Sequence, residues 1–401
     1  MALLPVAEAL QRLLDGAAAK DAETVPLREA ADRVLAQPIR ALRTHPPFDG
    51  SAMDGYALRA SDVATVPARL RVIGEAQAGR RFAGAVAAGE AVRIFTGAPV
   101  PPGADTIVIQ ENARRNDEGT VEITEPAATG RHIRRRGLDF FEGDLLLEEG
   151  RRLDPGALSL AAAANHASLC VVKRPLVAII AIGDELLPPG SEPGPDQIIA
   201  SNPFGVAAIA ALCGARVLDL GIAPDRRKAI SGLIRQAMDA HADLVVTLGG
   251  ASVGDHDLVH GVLQSEGVAL DFWKIAMRPG KPLMVGRLGQ TRFIGMPGNP
   301  AASMVCSHLF LKPLLARLGG RGDGPGVVKA SLGAPMAPND NRQDYVRASV
   351  KESASGPVAT PFGLQDSSML RVFADANALI VRAPFAPAAA TGDSCDILML
   401  R

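Results

Sequence analysis

The chain has 401 residues, of which 47% are hydrophobic, and it carries a formal net charge of −1. This length exceeds that of one ordinary domain, so about two to four domains with well-buried cores are expected. The near-neutral charge gives no support to a nucleic-acid or acidic-membrane partner on bulk electrostatic grounds. Four scattered cysteines without a Cys-x-x-Cys pair indicate neither a zinc site nor a disulfide framework.

The first predicted element is an amphipathic helix within MALLPVAEALQRLLDG, where Glu8 and Arg12 interrupt the apolar run. Because a basic n-region is missing and the longest apolar run, PLVAIIAIG, is too short to span a bilayer, the sequence favours a cytoplasmic protein. Helical patterns continue to about residue 43. From 44 to 140, short alternating segments such as RLRVIGEA, AVRIFTG and ADTIVIQEN predict a β-rich inserted domain.

Helical character returns after residue 140, where Asp154 and Pro155 predict the N-cap and the first residue of a helix. From 172 to 320, the buried strands PLVAIIAIG, ARVLDLGI, ADLVVTLGG and TRFIGMPG alternate with helices, which predicts a three-layer α/β domain. The first of these helices is expected to be capped by Ser201 or Asn202, and the next by Asp225.

The fold class is therefore multidomain α/β. The expected divisions are 1–43 together with 141–171 (mixed, largely helical), 44–140 (β-rich and inserted), 172–320 (α/β) and, after the linker GGRGDGPG, 321–401 (a small C-terminal β-barrel-like domain).

Ligands of open parallel sheets bind beyond the carboxyl ends of the strands, so the residues that follow the predicted strands are candidates for a site. They are Asp184 and Glu185 in GDELL, Asp225, GGASVGDHD and MPGNPAAS. The segment PGNP at 297–300 either cradles a phosphate at a helix N-terminus or forms a tight turn without a ligand. The pair Gly249-Gly250 allows the same two interpretations.

Two motifs near this rim suggest other chemistry. GASVG at 250–254 matches the G-x-S-x-G elbow of a serine hydrolase with Ser252 as nucleophile, but acidic residues follow it, and His308 is the late histidine available as a base. HDLVH, with His256 and His260, imitates a zinc motif in which Asp257 replaces the usual Glu; solvated or capping histidines are the alternative.

Loops rich in charge are further candidates. In AMRPGKP, Arg278 and Lys281 flank a Pro-Gly turn without intervening acids, which predicts an oxyanion receptor unless both cations are solvated. The basic run RHIRRRG contacts phosphate, forms a solvated loop or forms a network of ion pairs at an interface. In FDGSAMDGYALRASD we expect Asp49 to hold an Asx-turn, and Asp54 either holds one as well or has a functional role.

Together these motifs resemble one family. FDGSAMDGYA, RIFTGAPVPPGAD, IRRRGLD, GDEL, SN at 201–202, GGASVGDHD, FWKIAMRPGKP and GMPGNPAAS are similar in order and spacing to MoeA-type molybdopterin molybdenumtransferases, which are related to the gephyrin E-domain. The resemblance covers nearly the whole chain. It implies four subdomains, an elongated homodimer, and insertion of molybdate into adenylyl-molybdopterin with Mg²⁺ and release of AMP.

The resemblance also implies partners and site residues. The partners are an upstream molybdopterin adenylyltransferase and downstream molybdoenzyme maturation proteins, with no nucleic acid and no membrane. The implied catalytic positions are Asp54, Asp139, Glu185, Asp225, Asp257 and Lys274, with Asp225 and Asp257 as metal ligands. The implied substrate-binding positions are Thr96, Gly249, Gly250, Ser252, Pro297, Gly298, Asn299 and Pro300. The implied molybdate-binding positions are Arg278, Lys281, Arg347 and Ser367.

The chain departs from the family pattern inside several of these motifs. Ile182 stands where Thr usually precedes GDEL, Arg278 replaces the first Lys of KPGKP, Ala302 removes a hydroxyl from PGNPVS, and Asp366 replaces the Gly before the C-terminal serine. Because Arg keeps the charge but presents a planar fork, these changes affect the expected molybdate contacts. A non-catalytic molybdopterin-binding scaffold is the alternative from another class, although the acidic rim favours catalysis.

Overall fold

The structure is a computed structural model that describes residues 3–116, 118–250, 258–322 and 326–401, without the side chains of 271–273 and 282. The chain divides into two compact units, which are described separately. The first comprises Met1–Glu23, Asp32–Ala36 and Cys170–Arg401, and the second comprises Thr24–Ala31 and Gln37–Leu169. Within the described ranges, no helix is long and apolar enough to cross a bilayer.

The elements up to residue 172 are mostly short strands. The helices are α1 (Val6–Leu14) and α2 (Pro155–Ala163). The strands are β1 (Ala22–Pro26), β2 (Ile39–Arg40), β3 (Gly50–Ser51), β4 (Gly55–Leu58), β5 (Ala68–Ala76), β6 (Glu90–Ile94), β7 (Thr106–Ile109), β8 (Ala113–Arg115), β9 (Thr120–Ile123), β10 (Ile133–Arg134), β11 (Leu145–Leu147) and β12 (Ser168–Val172).

From residue 176 onward, helices and longer strands alternate. The helices are α3 (Asn202–Leu212), α4 (Arg227–Asp239), α5 (Leu258–Ser265), α6 (Pro300–Cys306), α7 (Lys312–Leu318) and α8 (Leu370–Asp375). The strands are β13 (Leu176–Ile182), β14 (Leu186–Leu187), β15 (Ile198–Ile199), β16 (Arg216–Ala223), β17 (Leu244–Leu248), β18 (Ala269–Lys274), β19 (Met277–Arg278), β20 (Pro282–Leu288), β21 (Thr291–Met296), β22 (Val327–Leu332), β23 (Gln343–Ser353), β24 (Gly356–Pro361), β25 (Ala378–Arg382) and β26 (Ser394–Met399).

The second unit is built around a six-stranded sheet in the order β7-β4-β6-β5-β9-β8. Successive side chains of a strand point to opposite faces, and in β4 both faces are buried. Tyr56 and Leu58 pack into one apolar cluster, and Ala57 packs into another. The three segments predicted as strands in this region correspond to β5, β6 and β7, so its predicted β-rich character is confirmed.

The first unit contains a six-stranded sheet in the order β16-β13-β17-β21-β20-β18. Strands β16, β13, β17 and β21 run parallel, and β20 and β18 continue the sheet as an antiparallel hairpin. In β13, Val177 and Ile179 face one core, whereas Ala178 and Ile180 face the other. Helices cover both faces, so the predicted three-layer arrangement is confirmed. The hairpin is a difference, because the sequence patterns predict no strand at β18 or β20.

The C-terminal sheet has the order β19-β23-β24-β22-β26-β25, and an additional β23–β25 pairing closes it into a small barrel. Its interior is filled by an aliphatic cluster that includes Leu332, Ala348, Ile380 and Ile397. The segments VVKASLGAPM, QDYVRASVKES and NALIVRAPF have the patterns of strands and correspond to β22, β23 and β25. Strands β24 and β26 are not predicted, because GPVATP and SCDILM lack a regular alternation.

Local signals at the ends of elements are confirmed in some places and wrong in others. Asp154 caps α2 by accepting the Ala157 N–H at 2.8 Å. Asp225 does not cap α4, which begins at Arg227 after Arg226. Ser201 occupies the N-cap of α3 without a side-chain cap bond. The described residues 3–43 contain one α-helix, α1, one 3-10 turn at Leu27–Glu29 and the two strands β1 and β2, so their helical pattern is misleading.

Candidate active site

A cavity of about 950 Å³ lies beyond the carboxyl ends of β13, β16, β17 and β21. The structure brings together at this cavity the following predicted site residues: Glu185, Asp225, Gly249, Gly250, Pro297, Gly298, Asn299 and Pro300. Four parallel strands end at one edge, so residues far apart in the sequence meet there. The start of α3 and the β14–β15 pair complete the wall.

Two exposed aspartates hold the loops at one side of the cavity. The Asp184 N–H donates to Asp225 Oδ2 at 3.2 Å, and the Asp225 N–H donates to Asp184 Oδ1 at 3.1 Å. This reciprocal pairing explains why Asp225 does not cap α4. It also holds two carboxylates side by side in solvent, and Mg²⁺ commonly binds to one or two carboxylates together with waters and substrate phosphates.

Main-chain atoms of Gly249 and Gly250 form part of the opposite side of the cavity. Gly249 has φ +90° and Gly250 has φ +69°. A Cβ on Gly249 would lie 2.4 Å from the Ile182 carbonyl oxygen, and one on Gly250 would lie 2.4 Å from Val259 Cγ2. Both positions therefore require glycine, because the turn after β17 is pressed directly against its neighbours.

The PGNP turn is braced by residues from two sides. Asn202 Nδ2 donates to the Gly298 carbonyl at 2.6 Å, and Asn299 Nδ2 donates to Ser367 Oγ at 3.1 Å. The Ala301 N–H donates to the Ser367 carbonyl at 2.9 Å. Since Pro300 has no N–H and the Ala301 N–H is occupied, the start of α6 offers a phosphate fewer amides than the sequence suggests.

The cations of AMRPGKP do not line this cavity, and acids surround one of them. Arg278 Nη2 forms an ion pair with Asp344, and its Nη1 lies 3.6 Å from Asp340 Oδ2. Asp344 raises the pKa of Arg278. Lys281 is exposed, and Lys274 is half-buried at the end of β18. The expectation of two cations without facing acids therefore does not hold for Arg278.

Arg347 is 1% exposed, so it is not a surface cation. Its Nε donates to Gln365 Oε1 at 3.0 Å, and its Nη1 donates to the Asp366 carbonyl at 2.7 Å. Burial lowers the pKa of Arg347, and the Asp366 carboxylate partly offsets this effect. These bonds fix the 365–368 segment, from which Ser367 contacts the PGNP turn.

In the second unit, Asp54 and Thr96 form one cluster. Asp54 Oδ1 accepts the N–H and the Oγ–H of Thr96, both at 2.8 Å. Both bonds hold the pKa of Asp54 below its usual range, and the bond from the Thr96 N–H has the larger effect. Asp139 is exposed.

Asp49 departs from the expected Asx-turn. Its Oδ2 accepts Arg135 Nη1 and its Oδ1 accepts the Arg136 N–H, both at 2.7 Å. The bond from the Arg136 N–H, and to a smaller extent Arg135, holds the pKa of Asp49 below its usual range. The basic run RHIRRRG is therefore bound through an ion pair to this aspartate.

Ser252, Asp257 and His256 lie outside the described residues. In the described part of the chain, no group of three or more His, Cys, Asp or Glu side chains is arranged to hold a metal ion. His308 is buried in the π-helical turn between α6 and α7, and its ring is 6.3 Å from that of Phe373. Burial lowers its pKa to about 4, and it does not line the cavity, so it is badly placed as the base of a hydrolase.

Two residues at the cavity are absent from the predicted site. Asn202 lies at the start of α3, and its Oδ1 is buried without a hydrogen-bond partner in the described ranges. Ser368 reaches the cavity from the C-terminal domain. The SN motif pointed to Asn202, whereas a serine beside a predicted one carries no distinguishing signal.

Family models match three successive parts of the chain. They are the MoeA N-terminal region (domain I and II) at residues 4–165, a probable molybdopterin binding domain at 178–317, and the MoeA C-terminal region (domain IV) at 329–400. The matches therefore extend over most of the sequence.

Relatives and solved structures agree with these matches. A molybdopterin molybdenumtransferase of Haemophilus influenzae is 35% identical over 90% of this chain and 89% of its own length. One of Bacillus subtilis is 34% identical over 99% of this chain and 94% of its own length. The crystal structure of a Pyrococcus molybdopterin biosynthesis MoeA protein covers 100% of both chains at 29% identity, with a TM-score of 0.84. The chain belongs to the MoeA-type molybdopterin molybdenumtransferase family.

Proposed function

We propose that this protein inserts molybdenum from molybdate into adenylyl-molybdopterin and releases AMP. The observation that carries the proposal is the cavity at the carboxyl edge of the parallel sheet, which has carboxylates on one side and glycine turns on the other. Family membership supports the same activity, since the relatives are named molybdopterin molybdenumtransferases.

The glycine turns suit the phosphate groups of the substrate. Gly249 and Gly250 place main chain, without side chains, at the cavity wall where the substrate phosphates would lie. Asn299 and Pro300 form the adjoining turn, which Asn202 holds through the Gly298 carbonyl. We infer that these groups orient the pyrophosphate link, so that the bond to AMP lies near the acidic side of the cavity.

The acidic side fits the Mg²⁺ that the resemblance implies. Asp225, together with Asp184, would hold the ion with hard oxygen ligands, and Asp257 is the further predicted ligand. When bound, the ion would neutralise charge on the departing phosphate. Glu185 also lines the cavity, and it would hold the ion's waters or the substrate.

Molybdate would be selected by Lys281 and by the segment that Arg347 and Ser367 organise. Charge-assisted hydrogen bonds are the strong ones for an oxyanion. Lys274, Asp54, Thr96 and Asp139 are proposed site residues from the family resemblance, and we propose a homodimer as the working form.

Incubation with adenylyl-molybdopterin, Mg²⁺ and molybdate tests the proposal. AMP release and molybdenum incorporation should rise together, and both should require molybdate. Tight binding of the pterin without turnover would instead identify a scaffold. Covalent labelling of Ser252 by a phosphonylating probe, with ester hydrolysis, would identify a hydrolase.

A further inference from the structure

We infer that Arg278 is a positioning residue, which locks the loop 276–281 to the C-terminal barrel so that Lys281 is the cation of this loop that meets the oxyanion. The identity of that oxyanion as molybdate rests on the proposed function. The locking itself rests on contacts between described residues of the first unit.

The charges around Arg278 cancel. Its guanidinium forms an ion pair with Asp344, lies 3.6 Å from Asp340, and has Asn339 Oδ1 at 3.4 Å. Arg342 binds Asp340 at 2.7 Å. Two guanidinium groups thus face two carboxylates, so the group has no net charge to attract a dianion. Binding an oxyanion to Arg278 would also require it to leave a carboxylate.

Asp344 in turn depends on Arg278. Its side chain is 10% exposed, and its Oδ1 is buried without a hydrogen-bond partner in the described part of the chain. A buried carboxylate with one oxygen that accepts no hydrogen bond stays ionised only beside a cation. Arg278 supplies that cation, so the two side chains act as one unit.

Backbone contacts connect the Arg278–Asp344 pair to the loop 276–281. Strand β19 runs parallel to β23, with Arg278 opposite Asp344, and the Gln343 N–H donates to the Ala276 carbonyl at 2.9 Å. On the other side, Gly280 has φ +114°, and a Cβ there would lie 2.7 Å from Cys306 Sγ. The loop is held between the barrel and α6, and this fixes the backbone from which Lys281 projects.

Lys281 is the cation that remains available. Its side chain is exposed, and no ion pair or hydrogen bond of its ammonium group occurs among the described residues. The Ile275 N–H donates to the Lys281 carbonyl at 3.3 Å, which closes the loop behind it. A fixed backbone lowers the ordering cost of presenting this ammonium group to an anion.

Asp344→Asn separates the two possible roles of Arg278, because they predict effects of opposite sign. If Arg278 positions the loop, Asp344→Asn and Arg278→Gln should each raise the half-saturating molybdate concentration by about tenfold, and the double variant should be no worse than the stronger single one. Arg278→Lys should restore part of the loss. If Arg278 binds molybdate directly, Asp344→Asn releases its charge and should lower the half-saturating concentration, which would overturn the inference.

Two controls accompany this titration. Asp396→Asn breaks the Lys329–Asp396 pair on the same barrel and should leave the molybdate dependence unchanged. Lys281→Ala should raise the half-saturating concentration by about tenfold to a hundredfold while adenylyl-molybdopterin binding is retained. Adding Asp344→Asn to Lys281→Ala should cause no further rise, because the pair acts through Lys281. Equal loss of pterin binding in Asp344→Asn or Arg278→Gln would contradict a role confined to the anion.

A second measurement does not depend on the proposed function. Unfolding midpoints of wild type, Arg278→Gln, Asp344→Asn and the double variant should show coupling between the two positions, and amide exchange at residues 276 and 343 should accelerate in both single variants. Additive midpoints with unchanged exchange would overturn the positioning role, even if wild type showed no molybdate-dependent AMP release. If Asp344→Asn does not fold, amide exchange at residues 276 and 343 in Arg278→Gln, with Arg278→Lys as the conservative control, still tests the positioning role, because exchange as slow as in wild type would overturn it.

Discussion

At the scale of single residues, Asp184 and Asp225 show how backbone bonds can keep acidic groups available. Each accepts one backbone N–H from the other's loop, at 3.1 and 3.2 Å, and both side chains remain exposed at the cavity side. Two neighbouring carboxylates repel each other, and a divalent cation relieves this repulsion. The pair therefore favours cation binding without needing a preformed cage of ligands.

Asp225→Asn tests this arrangement. The amide oxygen can still accept the Asp184 N–H, so the loop should keep its conformation, but the charge is lost. We expect the half-saturating Mg²⁺ concentration for AMP release to rise by at least about tenfold. Manganese binding followed by electron paramagnetic resonance gives the affinity directly. Asp239→Asn, an exposed change at the end of α4, is the control; an Mg²⁺ requirement equal in both variants would remove Asp225 from the metal site.

Thr96→Val tests the preorganisation of Asp54. The variant keeps the Thr96 N–H bond, which is the main cause of the lowered pKa of Asp54, and loses the hydroxyl bond. We expect the pKa of Asp54 to rise part of the way to its ordinary value of about 3.9. Because the folded-state pKa is the lower one, the bonds stabilise the fold above this unfolded-state value, and that stabilisation disappears as pH falls through the folded-state pKa.

A carboxyl-carbon NMR titration between acidic and neutral pH measures that change. Thr96→Ser keeps the hydroxyl and should titrate like wild type. An identical titration of Asp54 in wild type and Thr96→Val would show that the hydroxyl bond is not made in solution.

At the scale of elements, Gly249 at the end of β17 is a tightly constrained position of the cavity wall. Gly249→Ala combines φ +90° with a contact at 2.4 Å to the Ile182 carbonyl, whereas Gly289→Ala has φ +59° and no atom within 4 Å. We expect the first change to reduce the free energy of unfolding by about 2–4 kcal/mol and the second by about 1 kcal/mol. Urea unfolding of both variants makes the comparison, and equal losses would show that the backbone relaxes around Gly249.

Elements with a strong hydrophobic period or a local cap could be predicted from sequence, whereas elements that depend on contacts with residues distant in the sequence could not. The buried run of β13 and the Asp154 cap of α2 are local signals, and the structure confirms both. Asp225 precedes a helix as caps usually do, but its carboxylate is bound by the loop after β13. Strand β19 contains two residues and exists because β23 lies beside it, so its own sequence cannot reveal it.

The same reasoning applies to the candidate site. The rule for parallel sheets located the residues after β13, β16, β17 and β21, since strand ends are readable from sequence. The sequence did not show that two carboxylates neutralise the charge of Arg278, because Asp340 and Asp344 belong to another domain about sixty positions later. Sequence motifs therefore indicate which residues gather, and tertiary contacts decide which of them are free to bind.

At the scale of the whole molecule, we expect a homodimer. Helix α3 carries Phe204, Ala208, Ala211 and Leu212 on one exposed face, with Phe204 56% and Leu212 78% exposed. An apolar helix face of this kind is usually covered by a partner, and a second copy is the partner that the family resemblance implies. Light scattering at micromolar concentration should give twice the 41.7 kDa chain mass. A mass of 41.7 kDa that does not change with concentration would exclude the dimer.

Strand β23 also joins two cores of the first unit. Val346, Ala348 and Val350 face the interior of the barrel, while Tyr345 packs into the core of the α/β domain. One extra residue after Asp344 would exchange these faces and turn Arg347 toward an aliphatic interior. The same insertion at 354–355, in the turn before β24, would change neither face. The insertion after Asp344 should therefore lower the unfolding midpoint much more than the insertion at 354–355. Insertions should therefore be tolerated in the turn between β23 and β24, whereas the length of β23 between the two cores is fixed.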